Sequence, residues 1–312
     1  MLIRITRMFR PKLWMAVAFA MATAGCPPGV LPTNTVEVTN DVEYGLGYVR
    51  DNSEATYTLA PLHMDVYRPA NADEPKPAVI IMHGGGFVEG GRGEERIIDF
   101  AKYFASRGYV AFAIDYRLLQ DNPPAPDLWG ALSFPAVVHA AIVDAKAAVR
   151  HIRANANEYG VDPDNIAFIG ESAGAIAGVA VAVTNADQYS ADGEDFPIPQ
   201  QNEPNESARV QAYVHLWGSA DHVLTSVSAE DPPTMILHGE EDDVILTPFA
   251  AAERLHFALE LRGVPHEFYA AEDFGHAAWN YRLRGKSLER LTLDFLNEHL
   301  LGKSNRIGPI LH

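Results

Sequence analysis

Two short apolar runs end abruptly in glycine-rich turns, and this pair constrains the chain more than anything else in it. Ala78-Val79-Ile80-Ile81-Met82 runs into His83-Gly84-Gly85-Gly86, and Ile166-Ala167-Phe168-Ile169 runs into Gly170-Glu171-Ser172-Ala173-Gly174. A run with no polar residue suits a strand buried on both faces, and such strands belong to parallel sheets covered by helices. Consecutive glycines let backbone N–H groups approach a ligand, because no Cβ stands in the way. A serine flanked by glycines between a strand and a helix is held out on a tight turn, with the helix's positive end behind it. A projecting serine and a surface of backbone donors are what acyl transfer needs: a nucleophile and a place for the developing oxyanion.

The rest of the chain agrees with this architecture. His63-Met64-Asp65-Val66-Tyr67 alternates like an early antiparallel strand. Residues 109–114, 210–216, 234–237 and 267–270 are further short apolar runs. Between them lie helices of clear period. Val138, Ala141, Ile142, Ala145, Val149 and Ile152 form one stripe, while Asp144, Lys146, Arg150 and Arg153 are expected to face away. Pro135 and Gly160 mark the bounds of that segment, Thr247-Pro248 reads as N-cap and first residue of another helix, and Leu288, Leu291 and Phe295 place a closing helix. Alternating β and α units imply a mostly parallel sheet with helices on both faces, where active groups gather at the strand C-terminal ends.

Residues 1–26 are of different character. Arg4, Arg7, Arg10 and Lys12 precede the apolar run from Leu13 to Ala22, which has the length of a signal-peptide core and is short for a permanent span. The only cysteine, Cys26, follows Thr23-Ala24-Gly25 and resembles the lipobox of bacterial lipoproteins, although Thr23 stands where that family commonly has Leu. The expectation is export, cleavage before Cys26 and lipidation of Cys26; ordinary cleavage after Ala22-Thr23-Ala24 is the alternative. Residues 27–57, rich in Pro, Gly, Asn and Thr, read as a tether, and residues 58–304 as one catalytic domain. The formal charge of −17 becomes −21 once the four basic residues are removed, leaving 20 Lys and Arg against 41 Asp and Glu. That balance argues against nucleic acid and against an anionic membrane surface as the main ligand, so membrane attachment would come only through an N-terminal lipid.

From about residue 60 to 300 the chain resembles α/β-hydrolase carboxylesterases carrying an His-Gly-Gly-Gly loop. It is similar to hormone-sensitive-lipase-like esterases and to secreted bacterial carbohydrate or feruloyl esterases. The segment 144–159, followed by Val161-Asp162-Pro163-Asp164-Asn165-Ile166 and the serine turn, carries the likeness most strongly. The resemblance implies an α/β-hydrolase fold and a serine esterase, with Ser172 as nucleophile. It places the acid in His238-Gly239-Glu240-Glu241-Asp242, selecting Asp242, with Glu241, Asp243 and the more distant Asp221 as rivals. It places the base at His276, after Gly275. The N–H groups of Gly85, Gly86 and Ala173 would form the oxyanion hole, while His83 and His238 read as loop braces. Phosphate-loop and metal-ligand spacings are lacking, so no cofactor and no metal are implied.

Two departures from the pattern matter. Glu171 stands where hormone-sensitive-lipase-like enzymes usually have Asp, and the chain offers no large N-terminal helical cap. Lid material reduces to the stretches 187–207 and 121–129, which suits small-molecule or carbohydrate-linked ester substrates at an open cleft. Phe87, Trp129, Trp217 and Trp279 are candidates to contact an aryl or sugar group, or to serve only as packing. Two alternatives stand beside the esterase: an exopeptidase of the prolyl-oligopeptidase type and a non-catalytic binding protein on the same fold. The oligomeric state is not legible.

Overall fold

In chain order the elements are β1 (Val36–Val49), β2 (Thr58–Pro69), β3 (Lys76–Met82), α1 (Glu95–Ala105), β4 (Val110–Ile114), α2 (Ser133–Ala154), α3 (Ala156–Tyr159), β5 (Val161–Glu171), α4 (Ala173–Val183), β6 (Ala212–Leu216), β7 (Thr234–Gly239), α5 (Phe249–Arg262), β8 (His266–Ala271), β9 (Arg282–Leu283), β10 (Lys286–Ser287) and α6 (Leu288–Leu301). They come from a computed structural model that describes residues 34–51, 56–70, 74–124 and 133–302. The proposed leader, Cys26 and Trp129 lie outside the described residues.

The wholly apolar runs become the centre of one eight-stranded sheet of order β1-β2-β4-β3-β5-β6-β7-β8. β1–β2 and β2–β4 are antiparallel and every later pair is parallel. Ile80, Phe112, Phe168 and Ile236 are fully buried, as strands covered on both faces require. Each such side chain removed from water contributes about 1.5–3 kcal/mol. α1 packs against α6, and α2 against α4.

Register places the site. Met82, the last residue of β3, pairs with Gly170 near the end of β5, so the His83–Gly86 turn and the Ser172 turn leave the sheet level with each other. Glu171 pairs with Leu216, and Gly239 with Ala271, so the loops carrying Asp242 and His276 emerge at the same edge.

Three expectations need correction. Much of the supposed tether is strand: 14 of its residues form β1, so the sheet begins at Val36 rather than near residue 58. The turn-like residues that hid it are absorbed by register shifts at Thr39/Val42 and Glu43/Gly45. Its glycines answer to packing, since a Cβ on Gly47 would lie 2.6 Å from Arg117 Nε and one on Gly45 2.7 Å from Asn202 Oδ1.

Three of the four charged residues expected on the outer face of α2 are also not solvated, while Arg153 stays partly exposed. Asp144, Lys146 and Arg150 are buried. Asp144 Oδ1 accepts Arg117 Nη2 at 2.7 Å, Lys146 Nζ donates to the carbonyls of Asn185 and Gln188, and Arg150 Nε donates to the carbonyl of Asn202. The partners of Lys146 and Arg150 lie in or beside the stretch 187–207. That stretch is docked on the polar flank of α2, and Asn202 exchanges two hydrogen bonds with Leu46 of β1. Thirdly, α5 begins one residue later than expected, with Pro248 as N-cap and Thr247 buried ahead of it.

Candidate functional site

Ser172 sits between β5 and α4 with φ 51° and ψ −115°, a conformation an L-residue adopts only under constraint. The constraint is close packing on either side. A Cβ on Gly170 would lie 2.2 Å from Gly174 O, and one on Gly174 2.3 Å from Met82 O. Both glycines are thus required by the approach of β5, α4 and β3, and the strained turn projects the hydroxyl at the strand ends.

Ser172 Oγ lies 2.9 Å from His276 Nε2, and His276 Nδ1 lies 2.8 Å from Asp242 Oδ2. A carboxylate oxygen only accepts, so Nδ1 carries the proton and Nε2 is left to accept from the serine hydroxyl. The Asp242 side chain is fully buried, and its Oδ1 accepts the N–H of Val244. The rivals are elsewhere: Glu241 and Asp243 are exposed, and Asp221 forms a two-pronged surface pair with Arg254 that lowers its pKa.

The glycine turn after β3 is braced from below. His83 is buried, and burial pulls its pKa down, so its neutral ring stacks on Tyr116 at 4.4 Å. Tyr116 Oη donates to the carbonyls of His83 and Gly84. Gly85 and Gly86 take φ of 92° and 62°, and a Cβ on Gly85 would lie 2.0 Å from Glu89 O. The N–H of Gly84 is committed to Glu171 Oε1 at 2.5 Å. That leaves Gly85 and Gly86 as the donors the loop has to offer. Ala173, first residue of α4, has an N–H with no acceptor inside the helix.

Glu171, read from the sequence only as a departure, thus has a structural task. Its Oε2 accepts Trp217 Nε1 at 2.9 Å, and Trp217 meets Trp279 edge-on at 4.9 Å. Burial raises the Glu171 pKa, against the lowering effect of these two hydrogen bonds. Phe87 is fully buried against Tyr116 and Phe134, and Trp217 is fully buried too, so both are packing residues. Trp279 alone of the described aromatic candidates is partly exposed. Sequence reasoning missed Tyr116 and Thr247, whose hydroxyl lies 3.4 Å from His276 Nδ1. Tyr116 is signalled only by its position two residues beyond β4, and Thr247 only by the helix start at Thr247-Pro248, which says nothing of His276.

Strand order and serine turn together define an α/β-hydrolase fold. The BD-FAE family model matches residues 64–226, just over half of the chain, and the protein belongs to that family. The matched region includes Ser172 and stops short of Asp242 and His276.

The carboxylesterase NlhH of Mycobacterium tuberculosis is 32% identical over 148 residues, covering 47% of this chain and 38% of the relative. The chain spans less than half the length of several other curated esterases as well. Among solved structures, esterase 2 of Thermogutta terrifontis, phosphorylated by paraoxon, aligns with TM-score 0.62 at 24% identity, over 84% of this chain and 93% of that one. A truncated carbohydrate esterase from gut microbiota aligns with TM-score 0.64 at 18% identity, over 87% and 99%. These likenesses are of fold.

Proposed function

We propose that the protein is a serine carboxylesterase that cleaves short-acyl, aryl or carbohydrate-linked esters through an acyl-enzyme on Ser172. The observation that carries this reading is the unbroken hydrogen-bonded line Ser172–His276–Asp242, beside a glycine turn with backbone donors. His276 Nε2 takes the serine proton as Oγ attacks the ester carbonyl. The carbonyl oxygen gathers negative charge, and the N–H groups of Gly85, Gly86 and Ala173 receive it. Collapse expels the alcohol, which takes its proton from His276, while Asp242 stabilises the intervening imidazolium. Water then repeats the sequence on the acyl-enzyme, with His276 again as base, and releases the acid.

Ser172, Gly85 and His276 are partly exposed and Gly86 is open to solvent, which suits a substrate approaching from an open side. A long acyl chain gains about 0.8 kcal/mol per CH₂ only where an apolar tunnel receives it. Activity is therefore expected to peak at acetyl to butyryl or small aryl esters and to fall by decanoyl. A panel of p-nitrophenyl esters, acetylated xylan, methyl ferulate and dipeptide anilides tests this. Cleavage of the anilides alone would favour the exopeptidase reading, and no turnover at all the binding protein.

The localisation reading, export with a lipid on Cys26, rests on the basic start, the apolar run and the sole cysteine. Labelling with a fatty-acid probe should mark the wild type and spare Cys26→Ser. An unlipidated mature N-terminus at Gly25 would instead indicate ordinary secretion.

A further inference from the structure

His238 is the penultimate residue of β7 and its side chain is fully buried, yet it is not merely packed. Its Nε2 lies 2.9 Å from Asp242 Oδ2 and 2.9 Å from Thr247 O. A carboxylate and a carbonyl both only accept, so this nitrogen must carry the hydrogen and His238 is the donor to each. Asp242 Oδ2 is the same atom that accepts His276 Nδ1–H at 2.8 Å. Two imidazoles therefore meet on one carboxylate oxygen, one from the end of β7 and one from the loop after β8.

We propose that His238 is a positioning residue for the reaction, acting through Asp242. It aims Oδ2 at His276 and draws off part of the charge that His276 feels. The inference rests on the Ser172–His276–Asp242 reading above.

The surroundings favour a permanent neutral donor. The titratable groups facing His238 are Asp242, His276 and, from β6, His215, while Phe249 of α5 meets its ring edge-on at 6.0 Å. Burial lowers the His238 pKa, and the Asp242 and Thr247 contacts oppose that shift without reversing it. The same N–H ties Thr247 O down, so the backbone that carries the Thr247 hydroxyl beside His276 is held by the same ring. Without the donor, Asp242 is freer to turn and its undiluted charge binds the His276 imidazolium more strongly. A base held more firmly in its protonated form is released only at higher pH.

Leucine at this position fills the space and donates nothing, whereas glutamine can carry an N–H close to where Nε2 lies. His238→Leu should lower kcat about 10–100-fold, the scale of a slightly misplaced catalytic group, with KM little changed. The acidic limb of kcat/KM should move up by roughly half a pH unit. His238→Gln should restore most of both. A folded His238→Leu enzyme with wild-type kcat and an unmoved limb overturns the proposal.

Should the leucine variant not fold, ¹⁵N-histidine spectra of the wild type decide. His238 must appear as the neutral Nε2–H tautomer across about pH 6 to 8, the range in which a free imidazole would titrate. An Nδ1–H tautomer overturns the proposal, since it cannot donate to Asp242. Asp242→Asn, assayed in parallel, separates the two layers. If it is inactive while His238→Leu is normal, only the positioning role fails; if it is active, the triad fails and the proposal with it.

Discussion

Glu171 Oε1 accepts the N–H of Gly84 at 2.5 Å, fastening the residue before Ser172 to the first glycine of the turn after β3. The relationship couples two parts of the site that must keep their spacing to a fraction of an ångström. A Cβ on Gly84 would lie 2.6 Å from this same Oε1, so the glycine is there to let the carboxylate in. Glu171→Ala should therefore lower kcat about 10–100-fold while the nucleophile remains able to react. Glu171→Gln, which keeps one acceptor, should lose less. Single-turnover acylation with p-nitrophenyl acetate measures the difference; equal and negligible losses in both variants would deny the tie any catalytic effect.

The acid assignment divides cleanly between two aspartates. Asp242→Asn should cut kcat by about 10⁴-fold, because His276 loses the partner that fixes its tautomer. Asp221→Asn removes only an exposed pair with Arg254 and should leave the rate near wild type. Parallel kcat measurements on the two variants check it, and the reverse ranking would move the acid to the loop after β6.

The core carries its own charge network. Arg117 is held by Asp144 and Asp192, all three buried, and also donates to the carbonyl of Tyr48 in β1. Asp144→Ala leaves a buried guanidinium short of half its countercharge and should cost about 3–5 kcal/mol. Urea denaturation gives that number directly, and a loss under about 1 kcal/mol, typical of an exposed pair, would contradict the buried arrangement.

Stability should fall on acidification partly through His215. It is fully buried on β6 with Nδ1 against the Tyr213 hydroxyl, and burial drops its pKa to about 3. The unfolded chain protonates this ring near pH 6.5 and the folded chain only near 3. Between those values the unfolded state binds more protons, so stability is lost as pH falls through the window. His215→Phe should flatten that slope. Unfolding free energies at several pH values across the window test it, and an unchanged slope would count against the assignment.

Much of this was legible in the residues, for a physical reason. β3 and β5 lie mid-sheet, so both faces must be apolar; the turn after β3 needs glycine where Glu89 O crowds Gly85, and the turn after β5 where Gly174 O and Met82 O crowd Gly170 and Gly174. Such demands leave few residue choices and are therefore easy to see. β1 was not legible, because an edge strand half exposed to water tolerates Asn40, Asp41, Gly45 and Gly47. Nor were the charges of α2: Asp144, Lys146 and Arg150 fit a solvated helix face equally well. Lys146 and Arg150 donate to the carbonyls of Gln188 and Asn202 in the stretch 187–207, and Asp144 pairs with Arg117; no local pattern announces these partners. That Ser172, His276 and Asp242 meet was signalled by the motifs around each, whereas the meeting of His238 and His276 on one oxygen depends on where β7 and the loop after β8 converge.

Active-site labelling tests the central claim most directly. A fluorophosphonate probe should react once per chain, attach to Ser172 and abolish hydrolysis of p-nitrophenyl butyrate. Ser172→Ala should take up no probe and retain only the residual rate of an intact oxyanion hole, roughly 10³-fold above water. Label on any other residue, or a Ser172→Ala enzyme that turns over at the wild-type rate, would contradict the account.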